Sequence, residues 1–335
     1  MRLSKVPLPK IMLVGGSGTG KTHALHSLVD AGYEIFVIFT EPGMEILSDL
    51  PPSKCHWTYI PPMTTDWASM ISSSQLINDL NFEALTKKTD INKSQYREWV
   101  RVQQALYNFR DERTGQMYGP VDFWGIHPDD FTPLPADQAG FAYIDPITNK
   151  PFEDKAGYQT YCNSLKSREI AWQQVASRYN LTEANDYGAK RFIIIDSLSG
   201  LNIMAMNLVV GSKPVKHQGD WGVAMDNEER LLIKLTTDVR VGFVLTAHLE
   251  REVDEVTGGV QLMASALGRK LAPRLPRFFS DVIQTKRDGK DFLWSTAATG
   301  VDLKARNVDI SDRLPPNFGP LLSRWESRQH KENVA

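Results

Sequence analysis

The feature that most restricts this chain is the run Gly15-Gly16-Ser17-Gly18-Thr19-Gly20-Lys21-Thr22, which opens at the end of KIMLVGG (10–16), read as a buried strand, and leads into a stretch of helical character from Lys21 to Ala31. These eight residues fit the pattern G-x-x-x-x-G-K-[ST], in the strand-before, helix-after context that gives the pattern meaning. Gly15, Gly18 and Gly20 let the backbone bend so that successive N–H groups face one point, as a chain of phosphates requires. The helix that follows adds the positive end of its dipole. Lys21 supplies a cation for β- and γ-phosphates, and Thr22 a hydroxyl for Mg²⁺. The expectation is an ATP and Mg²⁺ site formed by Gly15, Gly16, Ser17, Gly18, Thr19, Gly20, Lys21 and Thr22.

Such a loop needs a buried strand beneath it, and the flanking sequence supplies more than one. YEIFVIFT (33–40) reads as a second buried strand and HWTYI (56–60) as a short third, ended by Pro61-Pro62. After a long interruption come the strand in RFIIIDSLSG (191–200), a helix over roughly 223–239 and the strand VGFVLTAH (241–248). Strands alternating with helices predict an α/β fold with a mainly parallel central sheet. A turn-rich stretch (250–265) and a short helix near 266–276 lead to SDVIQTKR (280–287) and DFLWSTAA (291–298), joined by Asp288-Gly289 as a late β-hairpin.

The interruption is polar and helical in character over 64–112, rich in Gly, Pro, Asp and aromatics over 113–160, and helical again over 161–180. It is too aromatic for a flexible linker. The expected organisation is a core of residues 1–62 and 185–310, a large insertion (63–184), helical then loop-rich, and a peripheral tail (311–335).

Composition removes several function classes. No apolar run approaches the roughly 18–20 residues of a membrane-spanning helix, so no membrane partner is expected. The N-terminal MRLSKVPLPKIMLVGG leads straight into the glycine loop and reads as a first strand rather than a secretory signal. Cys55 and Cys162 fit neither a disulfide framework nor metal-ligand spacing, which points to reduced, cytoplasmic surroundings. With a formal net charge of −2, nucleic acid would have to be met by a local basic surface.

Three polar residues close predicted strands. Asp196 ends Phe192-Ile193-Ile194-Ile195-Asp196, where a carboxylate can orient a Mg²⁺ water; an Asp there would also serve as a helix N-cap, as would Ser197 or Ser199. Glu41 follows the strand after the loop helix, at the sheet edge where ligands bind, and a carboxylate there can polarise an attacking water as general base. Its other reading is a solvated turn residue before Pro42-Gly43. His248 closes VGFVLTAH, where it can sense a γ-phosphate or simply satisfy a hydrogen bond.

This order of parts resembles the RecA-like P-loop ATPase core. The resemblance implies that Glu41 is the catalytic glutamate and His248 the strand-terminal sensor, a position where RecA itself has glutamine. It also places DNA-facing loops at about 208–222 and 249–265. Lys304-Ala305-Arg306-Asn307 resembles the K-x-R-N element of DnaB-type helicases and KaiC- and RadA-like ATPases, which implies that Lys304 and Arg306 reach a neighbouring subunit's γ-phosphate. Arg269 and Lys270 are rivals for that role. The stretch from WGVAMDNEERLLIKL through VGFVLTAHLEREVDEVTGGVQLMASALGRKLAPRLPRFFSDVI is similar to phage-encoded RecA-core ATPases of the Sak type, associated with single-strand annealing and recombination. The likeness spans about 1–60 and 185–310 and leaves 64–180 outside it.

From the resemblance the chain is expected to hydrolyse ATP, to self-associate with nucleotide at subunit interfaces, and to act on single-stranded DNA in the cytoplasm, the host's if phage-encoded. Lys213, Lys216 and Trp221, with His217, are the candidate DNA contacts, since cations beside an aromatic can hold phosphate and stack a base. A second basic set is Arg269, Lys270, Arg274 and Arg277. The insertion offers a surface for a protein partner. Two other readings stay open: a ring-forming helicase or translocase, and a nucleotide-switched interaction module with little turnover.

Overall fold

Strands that are apolar at every position need cover on both faces, and this chain builds its sheet from such strands. The computed structural model describes residues 8–63, 66–79, 97–107, 109–118, 190–211, 216–237, 239, 241–253, 260–268 and 270–332. In chain order the strands are β1 (Lys10–Val14), β2 (Glu34–Phe39), β3 (Cys55–Tyr59), β4 (Phe109–Arg110), β5 (Met117–Tyr118), β6 (Arg191–Asp196), β7 (Gly242–Ala247), β8 (Leu249–Val253), β9 (Val260–Ala264), β10 (Asp281–Asp288), β11 (Asp291–Ser295) and β12 (Lys304–Ala305). The α-helices are α1 (His26–Asp30), α2 (Trp67–Asp79), α3 (Glu98–Tyr107), α4 (Leu198–Val210), α5 (Gln218–Thr237) and α6 (Gly319–Glu332).

The central sheet runs β11-β10-β1-β7-β6-β2-β3, with β12 also paired to β10. All pairs from β10 to β3 are parallel, and β11 and β12 add to β10 antiparallel. The fold is therefore α/β with a mainly parallel central sheet and a late hairpin. Alternation along each strand sends Met12, Phe36, Ile193 and Phe243 to one face, under α3, α4 and α5. Ile11, Ile35, Phe192 and Val244 go to the other, under α1 and α6.

Several elements depart from what local pattern predicts. The helix read over Lys21–Ala31 is a 3-10 turn, His23–Leu25, followed by the short α1 and closed by Gly32 at φ 87°. α4 takes up LSGLNIMAMNLVV, a sequence apolar all round because it lies between the sheet and neighbouring helices. The stretch 250–265 is not a turn region: β8 and β9 pair from Leu249↔Ala264 to Val253↔Val260, and 254–259 lie outside the described residues. The late hairpin ladder runs to Asp288↔Asp291, so its turn is Gly289-Lys290, one residue beyond Asp288-Gly289.

The tail is not peripheral. Phe318, Leu321 and Leu322 of the α6 segment are buried with Trp294, Leu25 and Leu28, and Tyr33 Oη donates to Glu326. Short apolar spacing inside a charged helix (GPLLSRWESRQHKE) hid this docking face.

Residues 98–118, within the span read as insertion, join the core through Trp99, Val102, Leu106, Phe109 and Tyr118. A buried polar chain fixes them. Arg191 Nε donates to Glu34 Oε2 at 2.9 Å, His56 Nε2 lies 2.9 Å from Glu34 Oε1, and His56 Nδ1 lies 3.2 Å from Asp111 Oδ2. Burial alone would raise the Glu34 carboxyl, but His56 and Arg191 hold it below its ordinary value. The helical reading of 161–180 lies outside the described residues. Among the described residues no helix is long and apolar enough to cross a membrane.

Lys10 opens β1 with its side chain buried, and its Nζ donates to the carbonyls of Val239 (2.6 Å) and Val241 (2.5 Å). Two acceptors match the two N–H groups of a neutral amine, and burial lowers its pKa from 10.5 to about 7. Between those values the unfolded chain holds the proton and the folded chain does not, so stability rises with pH; below about pH 7 both states are protonated and the dependence ends. Urea unfolding of the native chain, minus that of Lys10→Met, should therefore climb between about pH 7 and 9 at up to about 1.4 kcal/mol per pH unit. Parallel pH profiles for the two proteins would mean that Lys10 keeps its proton.

Candidate functional site

All the parallel strands end at the same edge, so the residues that follow them are gathered there whatever their separation in sequence. β1 and β7 are paired with Val14 opposite Ala247, and β2 and β6 with Phe39 opposite Asp196. The register brings Gly15, Glu41, Asp196, Thr246 and His248 to one rim. β7 lies between β1 and β6, so Asp196 is two strands from the glycine loop. Side chains span the gap.

Thr22 Oγ1 donates to Asp196 Oδ2 at 2.6 Å, and Thr246 Oγ1 donates to Asp196 Oδ1 at 2.5 Å. Both carboxylate oxygens are thus held beneath the loop. Burial pushes the Asp196 carboxyl above its ordinary value, while the two hydroxyls and the Lys21 ammonium pull it back. Ser197, not Asp196, caps α4, its Oγ accepting from Ser199 N. Thr246 carries no sequence signal beyond its place two residues before His248 at a strand end.

The loop itself spends few of its donors. Gly15 N donates to Ala247 O (3.1 Å) and Ala24 N to Gly20 O (3.0 Å), but the amides of Gly16 to Thr22 make no backbone hydrogen bond among the described residues. Lys21 Nζ donates to Gly15 O (2.9 Å) and Gly16 O (2.7 Å), folded back over the loop. Burial lowers the Lys21 pKa, and Asp196 and Glu41 oppose that shift. The arrangement offers a curved row of N–H groups, one cation and a buried carboxylate, a set suited to an anionic chain with a divalent cation.

A divalent cation fits this donor set in a particular way. Among the described residues no cluster of three His, Cys, Asp or Glu could hold a metal alone. Mg²⁺ does not need one, since it takes one or two protein oxygens plus substrate phosphates and water. Thr22 Oγ1 and Asp196 would hold it, side by side at the foot of the loop.

Glu41 Oε2 lies 3.2 Å from His248 Nε2, each side chain about one-third exposed at 35% and 30%. The two residues are brought together from β2 and β7, across β6. Glu41 stands in the bend before Pro42-Gly43, partly exposed, and is paired there with His248.

Other candidates lie elsewhere. Lys304, opposite Val282 near the start of β10, donates from Nζ to Phe279 O at 2.6 Å and is half-buried. β12 stops at Ala305, so Lys304 and Arg306 do not share a strand face. Asp281 fixes the turn beyond it by accepting from the backbone N–H of Arg306 (2.8 Å) and Asn307 (2.7 Å), leaving the Arg306 side chain exposed. Asp281 is level with Ile11, at the opposite end of β10 from the glycine loop.

Trp221 belongs to the first turn of α5 rather than to a loop, because α4 runs to Val210 and α5 begins at Gln218. Lys216 Nζ sits 5.6 Å from the Trp221 ring centroid, and Lys213 and Arg269 lie outside the described residues. Arg274 and Arg277 both pair with Glu229.

The hairpin β10–β11 closes the loop's other flank. Thr285 Oγ1 is 2.7 Å from Thr19 Oγ1 and occupies the space beside Gly15, where an added Cβ would meet it at 2.1 Å. Phe292 packs on Gly20, whose added Cβ would meet the ring at 2.7 Å. Neither Thr285 nor Phe292 carries a local sequence signal.

Gly18 and Gly20 both have positive φ (69° and 84°), but nothing lies within 4 Å of a Cβ on Gly18. Gly18→Ala should cost roughly 1 kcal/mol of backbone strain. Gly20→Ala must also displace the Phe292 ring, so its loss should be larger by roughly 1–2 kcal/mol, read by urea unfolding. Equal losses would mean that the hairpin yields freely. Comparison with protein-family models and with curated proteins returned no match for this chain.

Proposed function

We propose that the chain is a Mg²⁺-dependent ATP-hydrolysing protein of the RecA-like kind that acts on single-stranded DNA, in recombination or annealing of the phage Sak type. The observation that carries the ATP reading is Asp196, held at 2.6 Å from Thr22 beneath a loop of unspent amides, with Glu41 and His248 on the same rim. The interposed β7 supports it further, because a strand that senses the terminal phosphate must run beside the phosphate loop.

In this reading the amides of Gly16 to Thr22 bind the phosphate chain, and Lys21 leaves the Gly15 and Gly16 carbonyls to meet the β- and γ-phosphates. Mg²⁺, when bound, neutralises charge on those phosphates. Glu41 accepts a proton from the attacking water. His248, hydrogen-bonded to Glu41, couples the occupancy of the rim to β8, which begins at the next residue. Arg306 supports assembly into oligomers: it is exposed at the far end of β10, where it serves a neighbouring copy rather than its own loop. Lys304, tied to Phe279 O, serves as its anchor in this assignment.

Lys21→Ala should lose ATP binding. Glu41→Gln should bind ATP normally and hydrolyse it about 10²- to 10⁴-fold more slowly, measured as phosphate release beside equilibrium binding. Native turnover in Glu41→Gln removes Glu41 from the mechanism.

The DNA assignment is tested separately. Binding of a labelled single strand should weaken steeply as salt rises, with a shallower slope for Lys216→Ala and weaker binding at every salt for Trp221→Ala. A flat response in the native chain would remove single-stranded DNA as a phosphate-bound partner.

A further inference from the structure

We infer that Phe292, flanked by His23 and Arg287, is the platform on which the base of the bound nucleotide lies, and that it selects purine over pyrimidine triphosphates; this rests on the phosphate-site reading above. The argument starts from the asymmetry of the sheet. Apart from Lys21 in the loop itself, the groups assigned to the reacting end stand on one side of β1: Asp196 at the end of β6 with its partner Thr246 on β7, His248 just after β7, and Glu41 after β2. A triphosphate laid along the loop with its reacting end toward those groups extends its nucleoside toward the opposite side, which β10 and β11 occupy.

That side carries an aromatic cluster that the hydrolytic machinery does not use. Phe292 lies against Gly20, the residue before Lys21, and is only partly buried. His23, the residue after Thr22, is exposed, with its ring centroid 5.7 Å from that of Phe292 at an interplanar angle of 47°. Arg287 faces Phe292 across the β10–β11 ladder, exposed, with its guanidinium carbon 5.8 Å from the ring centroid. An aromatic ring, a tilted imidazole and a guanidinium thus converge beside Gly20, at the end of the loop where this reading has the nucleoside emerge. Each can pack against a flat heteroaromatic ring.

Stacking reads ring area, not exocyclic groups. The two-ring purines overlap such a cluster more fully than one-ring pyrimidines, so adenine and guanine are accepted alike and cytosine and uracil less well. Phe292 is a specificity and positioning residue here, not a catalytic one.

The test is calorimetric binding of Mg²⁺ complexes of ATP, GTP, CTP and inorganic tripolyphosphate to the full chain and to Phe292→Leu, which keeps apolar bulk on Gly20 but removes the π-face. The native chain should bind ATP and GTP within about threefold of each other, and both more tightly than CTP or tripolyphosphate. Phe292→Leu should lose roughly 5- to 100-fold for ATP and nothing for tripolyphosphate, the range of one aromatic–base stack. If ATP and tripolyphosphate weaken together, the ring only shapes the loop; if ATP is unaffected, the base does not touch it. Should Phe292→Leu fail to fold, the native order decides: equal affinity for ATP, CTP and tripolyphosphate overturns the platform while leaving the phosphate site standing. Failure of the native chain to bind any of the four removes both.

Discussion

One buried carboxylate ties the working edge of this protein together. Asp196 receives hydroxyl bonds from Thr22 and Thr246, so the end of β6, the end of β7 and the loop after β1 converge on a single group. A carboxylate buried this deeply is costly unless its oxygens are hydrogen-bonded, and here each oxygen has its own donor. The link is therefore structural before it is chemical. It ties the glycine loop to the ends of β6 and β7.

The rest of the edge follows from strand order. Placing β7 between β1 and β6 sets Thr246 where its hydroxyl reaches Asp196, and sends His248 past the edge to meet Glu41. The late hairpin closes the opposite flank through Thr285 and Phe292, both in contact with loop glycines. A loop built from amides with few backbone bonds is thereby confined from two sides. The opposite end of the sheet carries a different economy: Asp281 organises the turn that presents Arg306, and the pair of Glu34 and Arg191 anchors His56 and the residues around Asp111.

Much of this was legible locally. KIMLV, EIFVIF, RFIIID and GFVLTA are apolar at nearly every position, which only doubly covered parallel strands tolerate, and all four are buried throughout. The glycine motif and the polar residues closing those strands named most of the edge. What local pattern missed was contact-dependent. The β8–β9 pair has a strand in which three of five residues are charged and consecutive (LEREV), so it lacks the alternation that marks a strand. The tail helix buries only a few apolar residues among many charges, and Trp221 looked like part of a loop because the boundaries of α4 and α5 are set by packing.

The sequence by itself determined that a glycine loop follows a buried strand, that the strands are parallel, and that Asp196, Glu41 and His248 stand at strand ends, because periodicity and motif spacing are properties of neighbouring residues. Only the tertiary structure decided which strands adjoin, that Thr246 shares Asp196 with Thr22, that Glu41 meets His248, that Lys304 is spent on the Phe279 carbonyl, and that Phe292 rests on Gly20. Those contacts join residues from about 170 to 270 positions apart in three of the cases that matter most, Thr22 with Asp196, Glu41 with His248 and Gly20 with Phe292. No local pattern encodes such pairings; they exist only once the strands have chosen their neighbours.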